Sequence, residues 1–191
     1  RMNIAVLPPD INASEYSFTV EGGNIRFGLS AIKHVGQAAI DSIIEARKDG
    51  KFYGLRDFLN RVDLRKVNKK TMENLIYSGA FDAFGNKATL LFHYPTVSKL
   101  AGSRKEHREK GQFGLFYDAQ KEKNLEDNFE ERTEAPKDQL SLWEKEAVGF
   151  FLNHNPLAMY ADIIKKKRAR HLGTLTHADN GKSLILAGVI S

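Results

Sequence analysis

The 191 residues contain no cysteine and a single tryptophan. That excludes disulfides and thiolate metal sites, and it fits a reducing compartment. No apolar run approaches the ~20 residues that span a bilayer, and no basic-then-apolar leader opens the chain. Also missing are a glycine-rich phosphate loop ending in Lys-Ser/Thr, a His-Glu-x-x-His pair, a serine elbow, and paired carboxylates on a predicted strand that would hold two metal ions. The six histidines are scattered, and His154, in Asn-His-Asn-Pro, reads as a turn residue. No catalytic or metal-ligating set emerges, and no chemistry is expected of this chain alone. With 41% hydrophobic residues it can still bury a core in one or two domains.

Two stretches share one plan. In the first, an apolar pattern breaks at Lys33-His34-Val35-Gly36 and a helical one begins, with Ile40, Ile43 and Ile44 on one face. In the second, Leu55, Phe58, Leu59 and Val62 precede Lys66-Val67-Asn68, and Met72, Leu75 and Ile76 follow. Aligning Val35-Gly36 with Val67-Asn68 superimposes the two patterns, which predicts a duplicated helix-turn-helix unit. A turn that runs straight into a helix leaves the first amides unpartnered at the positive end of the dipole, a place suited to phosphate. Gly36 tolerates unusual backbone angles and Asn68 is a favoured cap. Gln37 follows one turn, Lys69 and Lys70 the other. The plainer alternative is a pair of ordinary helical hairpins in which glycine merely permits a tight connection.

Charge favours the anionic partner. From Lys33 to Lys70 there are ten Lys/Arg against five Asp/Glu, an excess equal to the formal +5 of the whole chain. Non-specific binding to a nucleic-acid backbone needs such a local excess, although a solvated helical surface can also carry one.

The flanks are less regular. Ile4 to Leu7 is a short apolar run stopped by Pro8-Pro9. Tyr16 to Val20 faces Asn24 to Phe27 across Glu21-Gly22-Gly23, predicting a β-hairpin. Asn86 can cap a helix carrying Leu90, Leu91, Tyr94, Val97 and Leu100, which Pro95 would kink or divide. Arg104 to Lys110 has no apolar face and reads as an exposed helix end or a tether. The aromatic cluster Phe113 to Tyr117 either folds back onto the core or awaits a partner's pocket. Residues 118–139 are polar and acid-rich, read as loop or linker. A packing helix follows from Gln139 through Trp143, Val148 and Phe151, and a second basic patch runs from Lys165 to Arg170. Leu184 to Ile190 reads as a strand. The opening Arg1 is not an initiator, and the chain reads as cut from something larger at both ends.

Four blocks, LPPDIN, IRFGLSAIKHVG, VNKKTMENLIYSGAFDAFG and EKEAVGFFLNHNPLAMY, resemble in content and order the α subunits of bacterial DNA polymerase III, the C-family replicative polymerases. The resemblance covers nearly the whole chain. It implies a mainly α fold: the end of the fingers (1–27), a tandem helix-hairpin-helix domain (28–110), a clamp-binding motif and linker (111–139), a helical connector (140–171) and the start of an oligonucleotide-binding (OB) fold (172–191). Carried over by position, the residues expected to hold the backbone of double-stranded DNA are Lys33, His34, Val35, Gly36 and Gln37, and Lys66, Val67, Asn68, Lys69 and Lys70. Such motifs usually read Gly-hydrophobic-Gly; here His34, Lys66 and Asn68 replace glycine, and a protonated His34 would add an ionic contact. Gln112-Phe113-Gly114-Leu115-Phe116 matches the family's sliding-clamp motif, with Gln112 at the rim of a β sliding clamp pocket and Leu115 and Phe116 inside it. The further partners implied are the remainder of the polymerase chain and the replisome, without a membrane and in the cytoplasm. No cofactor is implied for this chain, while the whole polymerase would need Mg2+. The competing class is a helix-hairpin-helix DNA repair enzyme, a glycosylase or ligase-like protein.

Overall fold

The computed structural model describes residues 4–109, 127–152, 157, 160–170 and 172–188. The fold is mainly helical with one small sheet. Strand β1 (Val6–Leu7) pairs in parallel with β3 (Asn24–Arg26), which pairs antiparallel with β2 (Thr19–Glu21), giving the order β1-β3-β2. The register Glu21 opposite Asn24 leaves a two-residue loop of Gly22 and Gly23, at φ 58° and 80°. Positive φ at both central residues is what a tight hairpin needs, which is why two glycines stand there. The hairpin lies where the sequence places it, with Glu21 paired in β2 rather than part of the turn.

The core belongs to the duplicated unit. Helices α1 (Gln37–Arg47), α2 (Leu55–Arg61) and α3 (Lys69–Tyr77) bury Ile40, Ile43, Leu55, Phe58, Leu59, Met72, Leu75 and Ile76 completely. The 3.6-residue spacing of these positions dictates the inward faces. Ile44 packs at the edge of the same core.

One expected element is different. The first copy has no α-helix before its turn, only a single 3-10 turn, Leu29–Ala31. The amides of Leu29 and Ser30 are bonded to the carbonyls of Glu15 and Tyr16, so the loop that precedes β2 takes the donors a longer helix would require. Leu29 and Ile32, three residues apart, still bury against the core.

Helix α4 (Lys87–Glu109) packs on α2 and runs uninterrupted through Pro95, which neither ends nor divides it. Asn86 starts it by accepting the Thr89 amide at 2.8 Å. The charged stretch from Arg104 is therefore the end of a helix as far as Glu109. Helix α5 (Lys137–Val148) packs on α3, with Tyr77 and Trp143 stacked at 5.1 Å and Ala147 and Val148 in the core.

Between α4 and α5 the described part of the polar stretch, 127–136, has no helix or strand, yet it is held along its length. Asp127 accepts the amides of Leu55 and Arg56 at the start of α2, and Glu134 accepts those of Lys87 and Ala88 at the start of α4. Gly54 makes room for this: a Cβ there would lie 2.5 Å from the Asp127 carboxylate. Phe129 stacks on His93, and Arg132 lies over the Phe92 ring.

A short α6 (Ala161–Lys166) follows. The apolar run expected as a strand from Leu184 makes, within its described residues, one parallel bridge between Leu186 and Arg170. Among the described residues it makes no ladder. Gln112, Leu115, Phe116 and His154 lie outside the described residues. Among the described residues no helix is long and apolar enough to cross a membrane.

Candidate nucleic-acid interface

The two turns meet. The Thr71 hydroxyl, in the first turn of α3, donates to the His34 carbonyl at 2.8 Å, and the Asp63 amide donates to Ser42 of α1 at 2.8 Å. The turn before α1 is thereby fastened to the start of α3, and α1 to the end of α2.

Their backbones match as well. Gly36 caps α1 at φ −80°, ψ 164°, and Asn68 caps α3 at φ −78°, ψ 176°. Both are ordinary extended conformations, so glycine is not needed at position 36 for its torsion angles, contrary to the expectation from sequence. The unusual angle sits two residues earlier, at His34, φ 63°. Nor is glycine needed there for space within the fold: an added Cβ would meet nothing within 4 Å, and the start of α1 is open to solvent.

Each turn leaves amides unused. In the first, the Ala39 and Ile40 amides return to the Gly36 carbonyl, and those of Gly36, Gln37 and Ala38 have no partner among the described residues. In the second, the Asn68 side chain accepts the Thr71 amide at 3.0 Å, and those of Asn68, Lys69 and Lys70 have no partner among the described residues. Val35 and Val67 are buried, so they plug the turns from beneath. Lys33, His34, Gly36, Gln37, Lys66, Asn68, Lys69 and Lys70 are exposed. Two sets of three outward amides at adjacent positive helix ends can bind anionic oxygens spaced along a chain.

The charge surplus is smaller than a count along the sequence suggests. Arg47 turns inward, bonded to the Ser14 carbonyl and to Glu15, and Arg61 bonds Asp57 and the carbonyls of Ala46 and Gly50. The lysines of the second turn each face a carboxylate: Lys66 lies 4.0 Å from Asp63, Lys69 3.7 Å from Glu73 and Lys70 2.9 Å from Glu146. The hydrogen bond from Lys70 to Glu146 holds its ammonium above the ordinary lysine value. At the first turn Gln37 donates to Asp41 at 2.6 Å, while the Lys33 and His34 side chains have no ionic partner among the described residues. The two copies thus offer the same backbone donors with different rims.

Sequence reasoning missed Thr71 and Glu146. A threonine three residues after a turn carries no sign that it joins two hairpins, and Glu146 lies 76 residues from Lys70.

The chain matches the helix-hairpin-helix motif family over residues 3–90. It is 38% identical over 165 residues to DNA polymerase III subunit alpha of Thermus aquaticus, a match covering 85% of this chain and 13% of that protein. The counterpart from Aquifex aeolicus is 40% identical over 188 residues, covering 97% and 15%, and that from Escherichia coli (strain K12) 34% over 195, covering 100% and 17%. The chain therefore spans less than a fifth of the length of these relatives.

Proposed function

Because the chain belongs to the DNA polymerase III α-subunit family along the segment it shares with these relatives, we propose that it is a duplex-DNA-binding segment of a replicative polymerase. The observation that carries this reading is the pairing of the α1 and α3 starts through Thr71 and His34, each end presenting three unused amides. Amides of the main chain recognise phosphate oxygens and no base, so the grip is independent of sequence. Two adjacent ends would take phosphates along the backbone, with Lys33, Lys66, Lys69 and Lys70 adding charge around them and His34 beside them.

Two finer parts rest on the sequence. Gln112, Leu115 and Phe116 form a tether to the sliding clamp, the two apolar side chains filling a pocket and Gln112 bonding at its edge. The run from Leu184 opens an OB fold. Nucleotidyl transfer, with its carboxylates and Mg2+, belongs to other parts of the polymerase, and this segment holds the product duplex behind them.

Fluorescence anisotropy of a labelled duplex at several salt concentrations tests the grip. Affinity should be weak, indifferent to sequence and steeply lost with salt. Changing Lys66, Lys69 and Lys70 together to Glu should weaken binding to all sequences alike, and salt-independent binding would refute the proposal. For the tether, Leu115→Ala with Phe116→Ala should abolish capture by the cognate clamp; retained capture would refute that part alone.

A further inference from the structure

Resting in part on the duplex-DNA reading, we infer that the cavity between α2, α4 and the segment after Asp127 is a second phosphate-binding site, distinct from the hairpin turns. The cavity is about 160 Å³, floored by Val97 and Ala101 of α4. Around it stand Arg56 and Asn60 of α2 and Thr96 and Arg104 of α4, and among the described residues no carboxylate lines it. The side chains of Asn60, Thr96 and Arg104 have no hydrogen-bond or ionic partner among the described residues. These are donors in excess of acceptors around a low-dielectric floor, which strengthens attraction for an anion.

Arg56 is positioned for this use. Its guanidinium carbon lies 5.1 Å from the centre of the Phe129 ring, and its Nε is 3.9 Å from Asp127. Asp127 is itself engaged by the Leu55 and Arg56 amides and so neutralises the guanidinium only in part. The Phe129 ring is stacked on His93 at 4.5 Å and covered by Arg56, and the His93 Nε2 meets the Glu130 carbonyl at 3.2 Å. The aromatic wall is already engaged and offers no stacking platform for a base. What is left is a pair of forked guanidiniums with an amide and a hydroxyl, chemistry that fits a compact tetrahedral oxyanion.

The cavity adjoins the second hairpin. Lys105, next to Arg104, donates to the Val62 carbonyl at the end of α2, and Asn60 lies two residues before that carbonyl. A backbone phosphate further along a duplex held at the turns can reach it, as can free phosphate or pyrophosphate. Both sources share one chemistry.

Two measurements on the 191-residue chain separate them. In the first, inorganic phosphate is titrated while the Asn60 side-chain amide and Thr96 signals are followed by NMR. Those signals should move in the wild type and stay in place in Arg104→Ala, whose exposed side chain can be removed without altering the melting curve. In the second, duplex anisotropy is measured against salt. Arg104→Ala should bind about tenfold more weakly, the loss of one charge-assisted contact, and the log-log salt slope should fall by about 0.9. Arg104→Lys should restore the slope but only part of the affinity. Both responses together assign the site to a DNA phosphate, and the NMR response with unchanged duplex binding assigns it to free phosphate. No NMR response and unchanged duplex binding would overturn the inference. If instead the hairpin-lysine variant binds duplex normally while phosphate still moves Asn60, the duplex reading fails and the pocket stands.

Discussion

Replacing Gly36 by alanine separates what the first hairpin does for the fold from what it does for DNA. The backbone at 36 is extended, a conformation alanine adopts freely, and the new Cβ enters open space. Restricting the unfolded chain should then stabilise by ~0.4–1 kcal/mol. Alanine is a poorer helix cap than glycine, which should cost a similar amount, roughly 0.5–1 kcal/mol. The two nearly cancel, so urea unfolding should show a midpoint change equivalent to less than ~0.5 kcal/mol at an unchanged m-value. Binding should respond differently. On the proposed grip, a phosphate received by the Gln37 and Ala38 amides approaches beside position 36, where the methyl group would crowd it. Losing one hydrogen bond to a charged oxygen is worth about 1.5–3 kcal/mol, a tenfold or greater rise in Kd. Anisotropy at low salt measures it. A variant that unfolds like the wild type and binds duplex equally well would refute the approach of phosphate to the start of α1.

The paired positions before the turns should answer glycine with opposite signs. His34→Gly relieves a left-handed residue and should stabilise by up to about 1 kcal/mol, while Lys66→Gly, where φ is not positive, should destabilise by ~0.5–1 kcal/mol, both read from urea midpoints. Glu146→Gln should tighten duplex binding at low salt by releasing Lys70, and the two titration curves should converge at high salt. The two distant caps should show contrary pH dependence in thermal melts. Burial pushes the Glu134 carboxyl up, but the amides of Ala135, Lys87 and Ala88 with the Lys87 charge hold it below its ordinary value. Its contribution is present above the unfolded carboxyl value and lost as pH falls through the lowered one, so the deficit of Glu134→Gln should shrink in acid. Burial raises Asp127 despite the Arg56 and Leu55 amides. Its contribution is present below the unfolded value and lost as pH rises through the raised one, so any deficit of Asp127→Asn should be largest in acid.

The duplicated hairpin was legible because it is written in short-range terms. Apolar spacing gave the buried faces of α1, α2 and α3, and Gly22-Gly23 gave the turn of the strand pair, since both depend on residues a few positions apart. The first copy misled because its missing helix is decided elsewhere, by the Glu15 and Tyr16 carbonyls that take the donors of Leu29 and Ser30. The role of Gly36 was misplaced for a related reason. A glycine in a turn suggests a special torsion angle, but the special angle is at His34, and position 36 is extended backbone beside open space.

The same limit applied to the acid-rich stretch, with larger consequences. Its composition is that of a solvated linker, and from Asp127 to Pro136 it does lack helix and strand. Yet Asp127 reaches 72 residues back to the start of α2, and Glu134 reaches 47 back to α4. Each carboxylate satisfies two amides that the helix cannot satisfy itself, at the end where the dipole favours negative charge. The acids therefore occupy the starts of α2 and α4, while those of α1 and α3 keep unpaired amides. Among α1 to α4, two starts are capped by carboxylates, and the two without one are those brought together through Thr71 and His34. An external anion can occupy α1 and α3 without displacing any internal carboxylate from their amides, so binding there need not loosen the helices that support it.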